Sequence, residues 1–348
     1  MEKSNFLNPL TYIPVNHVNS NLNNVYKPKK KNRRPQAKQK RCEQSLSFIS
    51  ANSARLSNKL FSLGKIINDL NSSVFCLQET FMKQSGKITF MNSSQYQIFE
   101  LNRQEKGGGG LAIGALKSLQ PIWINDGKNE VEALTIQLST KNMDIRVTNA
   151  YGPQEYDNDT KKFNFWNFLD NEIFQCNKQN IRCLIFMDGN AWLGSNYIKD
   201  DPHNQNKNGK MFANFLARNP NLNLMNSSNI CKGLITRSRT VNSNKEESVI
   251  DFVLSCNMVF PFVKNMLIDE EKIFSLANYS KKQQSLVHSD HNSIIVNLNL
   301  KEQKVQIERK TIFNFRNSEG LNKFKMKTTN TNKFSKCFSK QTTFKKTM

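Results

Sequence analysis

The chain has 348 residues, enough for a full hydrophobic core in one large domain or in two smaller ones. Its 50 Lys and Arg against 28 Asp and Glu leave a formal charge of +22, which predicts attraction to a polyanion such as nucleic acid or an acidic membrane surface. Seven scattered cysteines, never spaced C-x-x-C, argue against a disulfide framework or a zinc site and fit a reducing compartment. No apolar run reaches the roughly 18 residues of a membrane span, and residues 1–15 lack the apolar core of a signal peptide, so a soluble, intracellular protein with no membrane partner is expected.

The charge is uneven. Residues 1–45 carry 10 basic and 2 acidic side chains and residues 301–348 carry 13 and 3, which leaves an excess of only four for 46–300. The run from Lys27 to Arg41 is basic at nine of its fifteen positions, Lys29, Lys30, Lys31, Arg33 and Arg34 among them. Such a segment cannot build a core, so 1–45 is expected to be a disordered basic segment that binds phosphate or directs nuclear import. Apolar patterning runs from about Leu46 to Leu300 and defines one domain, 46–300. The remainder, 301–348, reads as a basic linker.

Within the domain, strands are predicted at 45–50, 73–78, 110–116, 133–139, 144–151, 182–188, 248–254 and 293–300, from short runs rich in β-branched and aromatic residues. Helical spacing appears from Leu56 to Leu70, from Phe163 to Phe174, and from Met211 to Leu216 before Asn219-Pro220 stops it. This alternation predicts an α/β sandwich. Gly107 to Gly110 precedes a strand, with no Gly-Lys-Ser/Thr after it, and reads as a turn rather than a phosphate cradle.

Several strands run straight into an acid or an amide, at the edge where α/β sheets place their sites. These are Asn52 after SLSFISA, Glu79 in CLQET, Asn149 to Pro153 with Tyr151, and Asp188-Gly189-Asn190. Asp251 in VIDFVL and Asp290-His291 before SIIV complete the series. Each alone has an ordinary reading as a turn or a solvated strand end. Asp251 differs, because a carboxylate among Val249, Ile250, Phe252 and Val253 needs a partner, and a histidine supplies one. Together the residues offer hard oxygen donors for Mg²⁺, a carboxylate to activate water, and an amide and an imidazole for phosphate oxygens. Phosphodiester hydrolysis requires those parts.

The ordered motifs LQET, NAYGP, DGNAW, IDFVL and SDH resemble the endonuclease/exonuclease/phosphatase superfamily over residues 46–300. Within it, ANSARLSNKLFSL, the glycine run leading into LAIGAL, and DGNAWLGS resemble the apurinic-type endonuclease domain of non-LTR (LINE-like) retrotransposons. The resemblance implies a four-layer, DNase I-like sandwich of two mixed β-sheets flanked by helices. It also implies a Mg²⁺-dependent phosphodiesterase, with Mn²⁺ as the alternative ion, that cuts DNA to leave a 3′-hydroxyl and a 5′-phosphate for retrotransposition.

In that reading Glu79, Asn52 and Asp290 bind the metal and Asp188 activates water beside Asn190. His291, held by Asp251, stabilises the phosphate, and Tyr151 contacts the phosphate or the leaving oxygen. Asn226 and Thr236 line the DNA groove. DNA is the expected partner, together with a reverse transcriptase domain encoded downstream, and the nucleus the expected location. The sequence departs from the family pattern at Met187 and Gly189 around the central acid and at Ala54, two residues past Asn52. The competing readings are an apurinic repair endonuclease or phosphatase of the same superfamily, and an inactive remnant that binds nucleic acid through its basic ends.

Overall fold

Along β1 (Gln44–Asn52), Leu46 and Phe48 face one side and Ile49 and Ala51 the other, and both sides are buried. A strand covered on both faces belongs to the inside of a layered structure, and the rest of the chain supplies the layers. The computed structural model describes residues 44–103, 109–127, 131–141, 143–282 and 284–300. The expected basic segments, including Lys29, Lys30, Lys31, Arg33 and Arg34, lie outside the described residues, as do Gly107 and Gly108.

After β1 come α1 (Leu60–Asp69), β2 (Val74–Gln78), β3 (Tyr96–Leu101) and β4 (Leu111–Leu116). Next are β5 (Ile122–Asp126), β6 (Ala133–Ser139), β7 (Asp144–Tyr151), α2 (Asp159–Gln179), β8 (Arg182–Asp188), α3 (Lys207–Arg218) and β9 (Leu222–Leu224). The chain continues through β10 (Cys231–Lys232) and a hairpin of β11 (Arg237–Val241) and β12 (Asn244–Ser248), then β13 (Asp251–Cys256) and β14 (Val263–Ile268). A second hairpin, β15 (Ala277–Ser280) and β16 (Ser285–His288), precedes β17 (Ile294–Leu300).

Among the described residues one sheet has the order β10-β14-β17-β1-β2-β4-β3 and the other β5-β6-β7-β8-β13-β9. Both are mixed: β1 with β2 and β7 with β8 are parallel, while β1 with β17 and β8 with β13 are antiparallel. The facing sides of the sheets form the central core, where Phe48 of β1 stacks on Phe186 of β8 at 5.9 Å between ring centroids. α1 covers the outer face of the first sheet with Leu63, Ile66 and Ile67. α2 and α3 cover the second with Phe165, Trp166, Leu169, Phe212 and Phe215. Helix, sheet, sheet and helices make the four-layer DNase I-like sandwich expected from the sequence.

Local chemistry sets the boundaries. The Asn158 side chain caps α2 by accepting from Lys161 N at 2.8 Å, and the Asn206 side chain caps α3 by accepting from Gly209 N at 2.7 Å. The first helix starts at Leu60 rather than Leu56, because the Leu56 carbonyl closes a turn onto Lys59 N and Leu56 itself plugs the core. The predicted strand 248–254 divides: Ser248 ends β12, and β13 begins at Asp251. Between them the Ile250 and Asp251 amides both donate to Thr236 Oγ1, which breaks the ladder and turns the chain.

The parallel pairs create the functional edge. Asn52 lies opposite Gln78 at the ends of β1 and β2, and Tyr151 lies opposite Asp188 at the ends of β7 and β8. Beneath that edge a buried strut ties the sheets together: Gln78 Nε2 donates to Asn149 Oδ1 at 2.6 Å, and Asn149 Nδ2 donates to the Leu77 carbonyl at 2.9 Å.

Candidate active site

Asp188, at the end of β8, is the hub. It is 1% exposed, and its Oδ2 accepts from Asn52 Nδ2 of the opposite sheet at 2.9 Å. Its Oδ1 accepts from the Asn190 backbone N–H at 3.2 Å. Burial, then the negative charge of Asp251, pushes the Asp188 carboxyl up to about 7. A buried carboxylate near neutrality can take a proton from water at physiological pH, which an ordinary aspartate does poorly.

Asp251 opens β13 directly opposite Asp188 in antiparallel register. His291 Nδ1 bonds both Asp251 oxygens, at 2.9 and 3.1 Å, and its Nε2 lies 3.9 Å from Asp188 Oδ2. Burial alone would lower the histidine's pKa, but Asp251, with Asp188 and Asp290 behind it, outweighs burial and raises it to about 9. The imidazole is therefore a cation at neutral pH, with Nε2 turned to the reacting edge. The partnership expected for Asp251 is present.

Glu79 and Tyr151 form the second cluster. Glu79 follows β2 with a left-handed φ of 49°, and Tyr151 OH donates to its Oε1 at 2.6 Å. Gln154 Nε2 in turn donates to Tyr151 OH at 2.6 Å. Burial and the charges of Asp188 and Glu79 push the phenol far above its usual range, so it is a neutral hydrogen-bond donor. The turn after Glu79 is held by Gly109 and Gly110, whose carbonyls accept from Phe81 N and Thr80 N at 2.8 and 3.1 Å. Both glycines have positive φ, and a Cβ on Gly110 would meet Thr80 Oγ1 at 2.7 Å. Gly109 and Gly110, the described part of the glycine run, thus shape the turn before β4.

The structure joins Asn52, Asp188, Asp251 and His291 by direct contacts, and joins Glu79 to Tyr151. Asn190 Nδ2 donates to the Gly152 carbonyl at 2.9 Å, which fixes the loop after β8 to the loop after β7. Asp290, beside His291, is paired instead with Arg237, whose Nε donates at 2.9 Å. Burial works against its ionisation, but His291 and Arg237 hold its carboxyl below the usual range.

One expectation is overturned. Asn226 and Thr236 do not line a groove, because their polar atoms are consumed inside the protein. Asn226 Nδ2 donates to the Asp251 carbonyl and its Oδ1 accepts from Val253 N, both at 3.0 Å, while Thr236 is fully buried against the start of β13. Both residues position Asp251.

Lys59 escaped the sequence reading. It is 6% exposed, and its Nζ donates to the Ser53 carbonyl at 2.6 Å across a loop in which Ala54 and Arg55 both have positive φ. Burial lowers its pKa, with Asp290 and Glu79 opposing that shift. Ser289, the first residue of the SDH motif and given no role from the sequence, donates through Oγ to the Asn52 carbonyl at 2.8 Å and links the Asp290-His291 loop to β1. Nothing local marks Lys59, whereas Ser289 heads the SDH motif.

The donors suit a hard divalent cation. Carboxylate and amide oxygens from Glu79, Asp290, Asp188 and Asn52 are the ligand types that Mg²⁺ and Mn²⁺ take. Among the described residues, Asp188, Asp251 and His291 also bring ligand atoms within 4.8 Å of one another. Within that trio His291 Nδ1 is already taken up by Asp251.

Two layered sheets with a strand-end site define a fold class shared with nucleases and phosphatases. The structure is similar to the endonuclease domain of TRAS1, a telomere-specific non-LTR retrotransposon, with a TM-score of 0.53 and 14% identity over 74% of this chain and 99% of that one. It is similar to an endonuclease/exonuclease/phosphatase family protein from Bacteroides thetaiotaomicron, at a TM-score of 0.51 and 13% identity over 75% and 99% of the chains. It also matches an AP endonuclease from Leishmania major, at 0.55 and 14% over 74% and 88%. No family model and no curated protein matches the sequence. The shared fold is that of the endonuclease/exonuclease/phosphatase proteins.

Proposed function

We propose that the protein is a divalent-metal-dependent phosphodiesterase that hydrolyses DNA internally, leaving a 3′-hydroxyl and a 5′-phosphate, in the manner of a retrotransposon endonuclease. The observation that carries this reading is the array Asn52–Asp188–His291–Asp251, in which a carboxylate near neutrality stands 3.9 Å from an imidazolium. A general base and a cationic donor at that spacing can bracket one phosphate and its attacking water.

Asp188 accepts the proton of the attacking water, with Asn52 fixing the direction of its free lone pairs. His291 Nε2 donates to a non-bridging phosphate oxygen, and Asp251 keeps the ring charged and oriented. Asn190, which ties the loop after β8 to the loop after β7, contacts the same phosphate, and Tyr151, whose one hydroxyl proton goes to Glu79, keeps that carboxylate oriented beside the departing oxygen. Glu79, with Asp290 and Asn52, would hold Mg²⁺, or Mn²⁺ in its place, and the ion would supply neutralisation of the charge that develops on the phosphate oxygens. The excess of 22 positive charges in the whole chain supports a polyanionic substrate. A nuclear location and a downstream reverse transcriptase belong to the same proposal, since a 3′-hydroxyl at a nick is a primer.

The test is incubation with supercoiled plasmid and Mg²⁺. Nicking is expected from the wild type and neither from Asp188→Ala nor from His291→Ala. No nicking, or nicking that both variants retain, overturns the reading.

A further inference from the structure

The two hairpins outside the main sheets start at the same place. Arg237, the first residue of β11, bridges His291 in antiparallel sense, and Ser238 N donates to the Asp290 carbonyl at 2.8 Å. Because that bridge is antiparallel, β11 leaves Arg237 in the direction from which the β15–β16 hairpin arrives at Ser289 and Asp290. Ser289 N donates to the Leu276 carbonyl at 2.9 Å, which continues the second hairpin's ladder to the edge of the active site.

The second hairpin is built unlike a support. It forms a separate two-stranded sheet, and Tyr279 and Leu286, each 62% exposed, are register partners across it. A lone two-stranded ribbon is marginally stable in water, and placing an aromatic and a leucine on its exposed face does nothing for the fold. Lys281 and Lys282 are exposed at its turn. An apolar pair with two cations at the tip is a surface for a ligand that combines anionic charge with apolar faces, as a nucleic acid does. At about 3.3 Å per residue, Leu286 lies roughly 16 Å of chain from His291, within half a helical turn of duplex.

We propose that the β15–β16 hairpin is a DNA-contacting prong that grips the duplex on one side of the scissile phosphate. Tyr279 and Leu286 press against the sugars and base edges of a groove, and Lys281 and Lys282 hold the adjoining phosphates. A ribbon of two strands has the width to enter a DNA groove. The proposal rests on the nuclease reading for its substrate, but its test is independent of cleavage.

The full chain carrying the photo-crosslinking residue p-benzoylphenylalanine at Leu286 is irradiated in EDTA with a labelled DNA duplex. A second protein carries it at Phe174, an exposed residue of α2 on the outer helical layer. Crosslinking at Leu286 and none at Phe174 is expected. In parallel, the paired substitutions Tyr279→Ser and Leu286→Ser are expected to raise KM for plasmid nicking about tenfold while leaving hydrolysis of bis(p-nitrophenyl) phosphate unchanged. Equal crosslinking at both positions, or none at Leu286, overturns the proposal. So does a fall in hydrolysis of the small ester, which would make the hairpin a support for the site. Crosslinking without any cleavage by the wild type would retain the prong and sink the nuclease reading.

Discussion

Asp188 and Asp251 are register partners on neighbouring antiparallel strands, so two buried carboxylates face one another at the edge of the second sheet. Such a pair is costly to keep ionised, and the structure meets the cost with His291, which bonds Asp251 and approaches Asp188. The raised proton affinity of Asp188 and of His291 follows from that one arrangement.

The first expected outcome concerns stability. The Asp188 carboxyl is raised in the folded state, so it stabilises the protein below its ordinary range, and that contribution is lost as pH rises from about 4 through about 7. Asp188→Asn removes the buried charge. It should abolish cleavage yet raise Tm by about 5 °C at pH 8, with the difference disappearing by about pH 4. Thermal melts of the two proteins across that range check it; an equal difference at both ends would refute the assignment.

His291 shifts in the same direction for a different reason. Its pairing stabilises the fold fully below its ordinary pKa of 6.5 and is lost as pH rises through about 9. Removing the partner charge with Asp251→Asn should lower the imidazole pKa, move the alkaline limb of the rate profile to lower pH, and reduce kcat on the order of 10³-fold. A pH profile of plasmid nicking measures both effects.

Tyr151 bears on metal affinity. Its hydroxyl orients Glu79 and is oriented by Gln154, so Tyr151→Phe leaves the carboxylate without a donor. The Mg²⁺ concentration for half-maximal nicking should rise about tenfold, with little change in Tm. An unchanged Mg²⁺ requirement would separate Glu79 from the metal.

Asn226 gives a contrast between positioning and contact. Asn226→Ala strands the Val253 amide inside the protein and should lower stability by about 1–3 kcal/mol and reduce kcat, while KM for duplex stays within about twofold. A groove residue would do the reverse, raising KM with stability intact.

Much of this was legible in the sequence, for identifiable reasons. The central strands carry continuous apolar runs because both faces are buried, and each of the eight predicted strands overlaps an observed one. Strand-end polar residues stood out because an acid or amide after such a run has no packing reason to be there. Less visible were β3 and β5 at sheet edges, β14, flanked on one side only by the two-residue β10, and the two hairpins apart from the sheets; polar residues such as Gln97, Asn125 and Lys264 interrupt the apolar pattern there. Lys59 was invisible as a site residue because a buried lysine depends on carbonyls that only the folded loop brings together. The Arg237–Asp290 pair, joining residues 53 apart, has no local signature either.

The central claim is that Asp188 and His291 act together on a DNA phosphate, and end-group analysis under single-turnover conditions tests it most directly. Duplex DNA incubated with the full chain and Mg²⁺ should yield nicks whose 3′ ends a polymerase extends without prior phosphatase treatment and whose 5′ ends a ligase reseals. Both products should vanish in Asp188→Ala and in His291→Ala. Nicks ending in a 3′-phosphate, or extendable nicks persisting in either variant, would contradict it.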